Sequence, residues 1–270
     1  MPSVHYRRAR FPAVRRCVCA TSYRDSFSPL PHGTPATTSR IDINKAMSYL
    51  IRVALPDTPG SLGELAEAFG MVDANIKSVD IVESTFADEK AVVTDDIVVE
   101  LPTGTMVDSL ITAAASVDGV EVDSIRPFTG RVDRREQVQM LARVANQVHD
   151  LPAAMQELVS VMPLALTSSW AVVLRDTGDG SERVAASQAA PGDDGSAPVL
   201  IDVSGARILR DDTDTWVPEA WWLLDSTLAV TPLGSTGLYL VIGRTGGPDF
   251  LASEVTHIGD LGAIVGALVR

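Results

Sequence analysis

The sequence predicts an α+β chain built from two successive parts, and three observations carry that prediction. Apolar and polar residues alternate in short runs, as in half-buried strands. Between these runs, apolar residues recur at three- and four-residue spacing, as on one face of a helix. Clusters of Pro, Gly and Asp punctuate the two kinds of segment. Hydrophobic residues make up 46% of the chain and charged residues 21%, a composition that supports a packed core. At 270 residues there is room for about two domains.

The first strand is Ser48–Pro56, with Tyr49, Ile51, Val53 and Leu55 on one face. Asp57-Thr58-Pro59-Gly60 breaks it. A helix follows, because Leu62, Leu65, Ala66 and Phe69 form one stripe, and Gly70 suits its end. Asn75–Thr85 and Ala91–Pro102 read as two strands around a polar turn. Thr105–Ser116 places Val107, Leu110, Ile111 and Ala114 at helical spacing. Asp118-Gly119 turns the chain into a last strand, Val120–Ile125. The order strand, helix, strand, strand, helix, strand is the split βαβ, or ferredoxin-like, arrangement: four antiparallel strands with two helices on one face.

Residues 129–150 read as a linking helix. Val138, Leu141, Ala145 and Val148 form its apolar stripe, with Arg131, Arg134, Arg135 and Arg143 on the solvated side and Asp133 and Glu136 nearby. The second half, 151–270, opens with a helix whose stripe is Leu151, Met155, Leu158, Val159 and Met162. Ser169–Arg175 and Ser181–Ala189 form a hairpin. A Gly/Asp/Pro loop follows, then segments near 199–203 and 205–209 that read as short strands or a helix turn. Thr227–Pro232 and Gly237–Gly243 are strands, and Phe250–Arg270 closes the chain with a helix striped by Val255, Ile258, Leu261, Ile264, Val265 and Leu268.

The formal charge of −13 argues against a nucleic-acid partner, which needs a basic cluster to displace counterions. The charge is uneven. Residues 1–46 carry Arg7, Arg8, Arg10, Arg15, Arg16, Arg24, Arg40 and Lys45 against Asp25 and Asp42, a net of +6, so the remainder holds −19. With no sustained period, 1–46 reads as a disordered basic tail, and Met47, directly before the first strand, reads as the true start. Cys17 and Cys19 are the only cysteines. The body therefore lacks thiolate metal ligands and disulfides, which fits a reducing cytoplasm. No apolar run reaches the ~20 residues a membrane helix needs.

Two resemblances follow from these residues. LPDTPGSLGELAEAF, followed by DANIKSVDI, resembles an ACT domain over 47–128, on the pattern Asp57-x-Pro59-Gly60-x-Leu62 and then Asn75-Ile76. The close of the chain, LAVTPLGSTGLYLVIGRTGGPDFLASEVTHIGDLGAIVGALV, is similar to the final hairpin and helix of a GAF domain, an antiparallel sheet flanked by helices. The predicted whole is a ferredoxin-like βαββαβ ACT domain followed by a GAF-like α/β sandwich.

The candidate binding residues are Asp57, Gly60, Ser61, Leu62, Asn75 and Ile76. Pro59 and Gly60 open the first helix, whose outward amides suit a carboxylate. Asp57 suits an ammonium group, and the Asn75 amide both donates and accepts. The same residues also suit a plain turn at Asp57 and a tight bend before Asn75. The resemblance implies amino-acid binding between two paired domains. It further implies a homodimer and a partner enzyme or regulator that carries the output.

Catalytic signatures are missing. His149 and His257, far apart, read as helix-surface residues, and Asp95-Asp96 and Asp193-Asp194 read as solvated carboxylate pairs. Trp221 and Trp222 read as core or interface anchors. There is no P-loop, no G-x-S-x-G, no zinc-protease motif and no CxxC. The expectation is a cytoplasmic, non-catalytic regulator with no cofactor, no metal, no nucleic acid and no membrane partner.

Overall fold

The computed structural model describes residues 47–87, 90–128, 134–200 and 203–270. The expected tail at 1–46, with its two cysteines, lies outside the described residues, as do Arg131, Asp133 and part of the segment near 199–203. The chain is mixed α/β with two antiparallel sheets.

The first half runs β1 (Met47–Pro56), α1 (Ser61–Gly70), β2 (Asn75–Ala87), β3 (Lys90–Leu101), α2 (Asp108–Ala115) and β4 (Glu121–Pro127). Its sheet has the order β2-β3-β1-β4, with every adjacent pair antiparallel. The alternation in β1 sends Ile51, Val53 and Leu55 into a core with Leu65 and Phe69 of α1 and Leu110, Ala113 and Ala114 of α2. Successive strand residues point to opposite faces, so Leu50 and Arg52 face away from these helices. Leu50 packs there with Val98 and Phe128.

The second half runs α3 (Arg134–Asn146), α4 (Leu151–Ala165), β5 (Trp170–Asp176), β6 (Ser181–Ala186), β7 (Arg207–Leu209), a short 3-10 turn (Glu219–Trp221), β8 (Ser226–Pro232), β9 (Leu238–Thr245) and α5 (Ala252–Leu268). The sheet order is β6-β5-β9-β8-β7. Asp150 caps α4, its carboxylate accepting from the Ala153 amide at 3.1 Å. Helices α3, α4 and α5 cover one face of the sheet through Met140, Met155, Leu158, Ile258 and Val265 on Ala171, Val173, Leu240 and Ile242. The other face carries an aromatic cluster of Trp170, Trp216 and Trp221 with Val172, Leu228 and Val241.

One expectation changes here. The apolar stripe read in α3 is rotated. Val138 is 66% exposed, whereas Met140 and Val144 are fully buried, so α3 connects the halves and also belongs to the second core. The helix carries Gln137, Met140 and Val144 at i, i+3 and i+7, and contact with α4 and α5 selects that face. Trp221 and Trp222, read as core or interface anchors, lie at the end of a 3-10 turn, and both pack in the aromatic cluster of the second half. Trp221 is buried edge-on against Trp170, with centroids 5.6 Å apart.

Candidate functional site

The six predicted site residues fall at two places. Gly60 sits in the left-handed region at φ 107° and caps α1 with no side-chain cap. That backbone favours glycine, and open space surrounds the position a Cβ would take. Asp57 and Leu62 are exposed beside it. The Ser61 amide already donates to the Thr58 carbonyl at 3.2 Å, and the two hydroxyls meet at 2.7 Å. Asn75 and Ile76 lie at the other end of the sheet. Asn75 shares the level of Glu100 and Ser48, eight residues down β1 from Pro56, or roughly 26 Å at ~3.3 Å per residue. One chain therefore does not bring Asn75 to Gly60. Ile76 is half-buried against the first core.

The densest polar chemistry lies elsewhere, where the outer face of the first sheet meets the start of α5. In register, Arg52 of β1 stands beside Asp96 of β3, and Asp96 beside Asp80 of β2, so these three share the outer face. Arg52 Nε and Nη2 donate to the two Asp96 oxygens at 2.7 and 2.8 Å. Its Nη1 and Nη2 also donate to Glu254 of α5 at 3.1 and 3.0 Å. Arg244 of β9, fully buried, donates to Glu254 at 2.6 Å and to the Thr167 carbonyl at 3.2 Å, and it lies 4.2 Å from the Phe250 ring centroid. Arg126 of β4 donates to the same Thr167 carbonyl.

Burial and charge set the ionisation here. Burial opposes ionisation of Glu254, but the charges and hydrogen bonds of Arg244 and Arg52 outweigh it and hold the carboxyl down to about 2. Burial works against the Arg52 charge as well, yet its bonds to Asp96 and Glu254 raise it above the ordinary arginine value. Arg126 is lowered to about 10, by burial first and then by Arg244. Thr167 holds φ at 50°, a costly conformation for a β-branched residue. Its carbonyl and hydroxyl accept from these guanidiniums, which keeps it there.

Asp95-Asp96, expected to be solvated, is buried on both sides of the sheet, each residue 2% exposed. Asp96 meets Arg52. Asp95 stands beside Val53 in register and so faces the α1–α2 core, where its Oδ1 has no partner. Burial, then the charges of Asp96, Asp80 and Asp57, pushes it up to about 6. Asp193 and Asp194 are exposed, as expected, and bond the Gly195 and Ser196 amides.

Beside the ionic junction is a cavity of about 350 Å³. Both halves line it: Asp80, Ile81, Val82 and Asp96 from the first, and Gln137, Ala165, Leu166, Thr167, Phe250, Ser253, Glu254, His257 and Ile258 from the second. Gln137 donates to the Ala165 carbonyl at 3.0 Å, and its Oε1 lies 3.0 Å from His257 Nε2. His257 thus sits on an exposed helix face, as expected, but on the rim of a cavity. Sequence reading missed Arg52, Asp96, Arg244 and Glu254. The one available signal was four charged residues set in otherwise apolar strand and helix segments. No group of three metal-ligating side chains occurs among the described residues, and no helix among them is long and apolar enough to cross a membrane.

No protein-family model and no curated protein matches the chain. Among solved structures, it is similar to the GAF domain of a phosphoenolpyruvate-protein phosphotransferase from Acinetobacter, at 11% identity over 49% of this chain and 92% of that one, TM-score 0.36. It is similar to free methionine-R-sulfoxide reductase from Neisseria meningitidis in complex with its substrate, at 15% identity over 53% and 94%, TM-score 0.39. The chromophore-binding domain of an unusual bacteriophytochrome from R. palustris is similar at 11% identity over 83% and 92%, TM-score 0.32. At these TM-scores the likenesses define no family for the chain.

Proposed function

We propose that the chain is a cytoplasmic, non-catalytic regulator. In this reading an ACT-type, ferredoxin-like first half and a GAF-like second half take a small molecule into the cavity between them. The observation that carries the reading is that cavity, of about 350 Å³ and lined by residues of both halves. Ligand sites favour such junctions. A guest held there contacts both halves at once, so it shifts their arrangement by its difference in affinity for the open and closed forms. A partner enzyme or regulator then reads the arrangement.

Amino-acid binding at the start of α1 is a second reading, favoured by the uncapped helix and by the open left-handed backbone at Gly60. It requires a homodimer, because Asn75 and Gly60 stand at opposite ends of the sheet. The edge strand β2, with its unpaired backbone groups, is the natural contact.

A thermal-shift screen of the full chain with small metabolites tests the proposal. A ligand at 100 times its Kd adds about 2.7 kcal/mol to stability, so at least one compound class raises Tm by several degrees. If no small molecule does so, or if the purified chain alone turns over a substrate, the regulator reading is wrong.

A further inference from the structure

Resting on the cavity reading above, we infer that the guest of this cavity is an uncharged molecule: a small apolar body carrying a hydrogen-bond donor that His257 accepts.

The charges on the wall leave a charged guest without a counterion. Asp80, Asp96 and Glu254 line the cavity, but none of them is free. Both Asp96 oxygens accept from Arg52, at 2.7 and 2.8 Å. An ionised carboxylate offers about four lone-pair positions, and Glu254 fills them with Arg52 Nη1 and Nη2, Arg244 Nη2 and the Leu251 amide. Asp80 is engaged as well. The guanidiniums are committed in turn, Arg52 to Asp96 and Glu254, and Arg244 to Glu254 and the Leu166 and Thr167 carbonyls. An ammonium or a carboxylate entering here must either stay unpaired or break a pair that joins the halves, and both are costly out of water. An uncharged guest requires neither.

The body of the guest is set by the apolar lining. Ala165, Leu166, Phe250 and Ile258 line the cavity from the second half, and Val82 lines it from the first. A hydrocarbon body set against them leaves water for an apolar wall. At about 350 Å³ the cavity lies near the lower end of small-molecule sites, which suits a single ring.

The donor follows from a relay at the rim. The Ala165 carbonyl can only accept, so the Gln137 amide turns its Nε2 toward it, at 3.0 Å. Gln137 Oε1 then faces His257 Nε2 at 3.0 Å. That oxygen can only accept, so Nε2 of the ring carries the hydrogen. In the neutral ring Nδ1 is therefore the acceptor, and among the described residues it has no partner of its own. His257 lines the cavity, and a hydroxyl or N–H on the guest fits that atom.

Isothermal titration calorimetry on the full chain tests the inference with probes that share one body: 2-phenylethanol, its methyl ether, phenethylamine and phenylacetate. The alcohol should bind at least about tenfold tighter than the cation and the anion, a difference of about 1.4 kcal/mol. It should also bind several-fold tighter than the ether, which has no hydrogen to donate. His257→Phe, at an exposed position, should bring the alcohol down to the level of the ether. The ether's affinity should stay unchanged in that variant, and Tm should stay near that of the unsubstituted chain. Nuclear Overhauser contacts from the bound probe to Phe250 and Ile258 place it in this cavity. If a charged probe with those contacts binds as tightly as the alcohol, the inference is overturned while the cavity reading stands. The same holds if the alcohol keeps its lead over the ether in His257→Phe. If no probe binds, or if the contacts map elsewhere, the inference fails and the cavity reading loses its support with it.

Discussion

Arg52 and Glu254 meet across the two halves of the chain, with Nη1 and Nη2 of the guanidinium donating to the two carboxylate oxygens at 3.1 and 3.0 Å. Among the described residues each hydrophobic cluster stays within one half. The buried junction is therefore ionic, and it depends on geometry more than on apolar area. Removing one partner of such a pair leaves an uncompensated buried charge, which costs about 3 kcal/mol. Glu254→Gln should lose roughly that much and separate the melting of the halves. Calorimetry should show two transitions in the variant, and a single unchanged transition would count against an ionic junction.

Acid should weaken the same junction. The Glu254 carboxyl is held down to about 2, below its ordinary value of 4.5. Its stabilising effect is therefore complete above the unfolded value and is lost as pH falls from about 4.5 through about 2. Urea midpoints of the unsubstituted chain and Glu254→Gln should converge across that window. A gap that stays constant with pH would show that the carboxylate charge is not what joins the halves.

Asp95 has the opposite sign. Its carboxyl is pushed up to about 6 from an ordinary 3.8, so between these values the folded chain holds a proton that the unfolded chain has released. Stability from this group is present below about 3.8 and declines as pH rises through about 6. Asp95→Asn should raise stability at pH 7 by about 1–3 kcal/mol and flatten the decline. Urea unfolding at pH 4 and pH 7 reads the difference, and a variant less stable than the parent at pH 7 would refute it.

The orientation of α3 is open to a paired test. Met140 is fully buried and Val138 is 66% exposed. Met140→Ala should cost about 2–5 kcal/mol, whereas Val138→Ala should stay within about 0.5 kcal/mol. Equal losses in chemical denaturation would mean that the helix presents the other face.

Gly243 is paired in register with Trp170, and a Cβ at this position would overlap the Trp170 indole. Gly243→Ala should destabilise the second half by about 1–3 kcal/mol. It should also perturb the near-ultraviolet circular dichroism of the Trp170–Trp221 pair. Trp170→Leu in the same chain should recover part of the loss, because it removes the overlap. An unperturbed spectrum would contradict the contact.

The sequence by itself determined most elements and their order. Period-two runs such as Tyr49 to Leu55 and helical stripes such as Met155 to Met162 are local signals, and local sterics and burial make them legible. What only the tertiary structure decided is which faces are covered. Arg52 and Asp96 occupy positions that alternation assigns to solvent, yet α5, whose Glu254 lies 202 residues beyond Arg52, arrives over them and buries them. Asp95 is buried on the opposite face, against what two adjacent carboxylates lead one to expect. The same non-local packing chose Met140 over Val138 in α3 and placed Asn75 far from Gly60. A period reports that an element has a buried side. Which other segment supplies the contact is settled by chain distances that no local pattern records, and so the junction and its cavity became visible only in three dimensions.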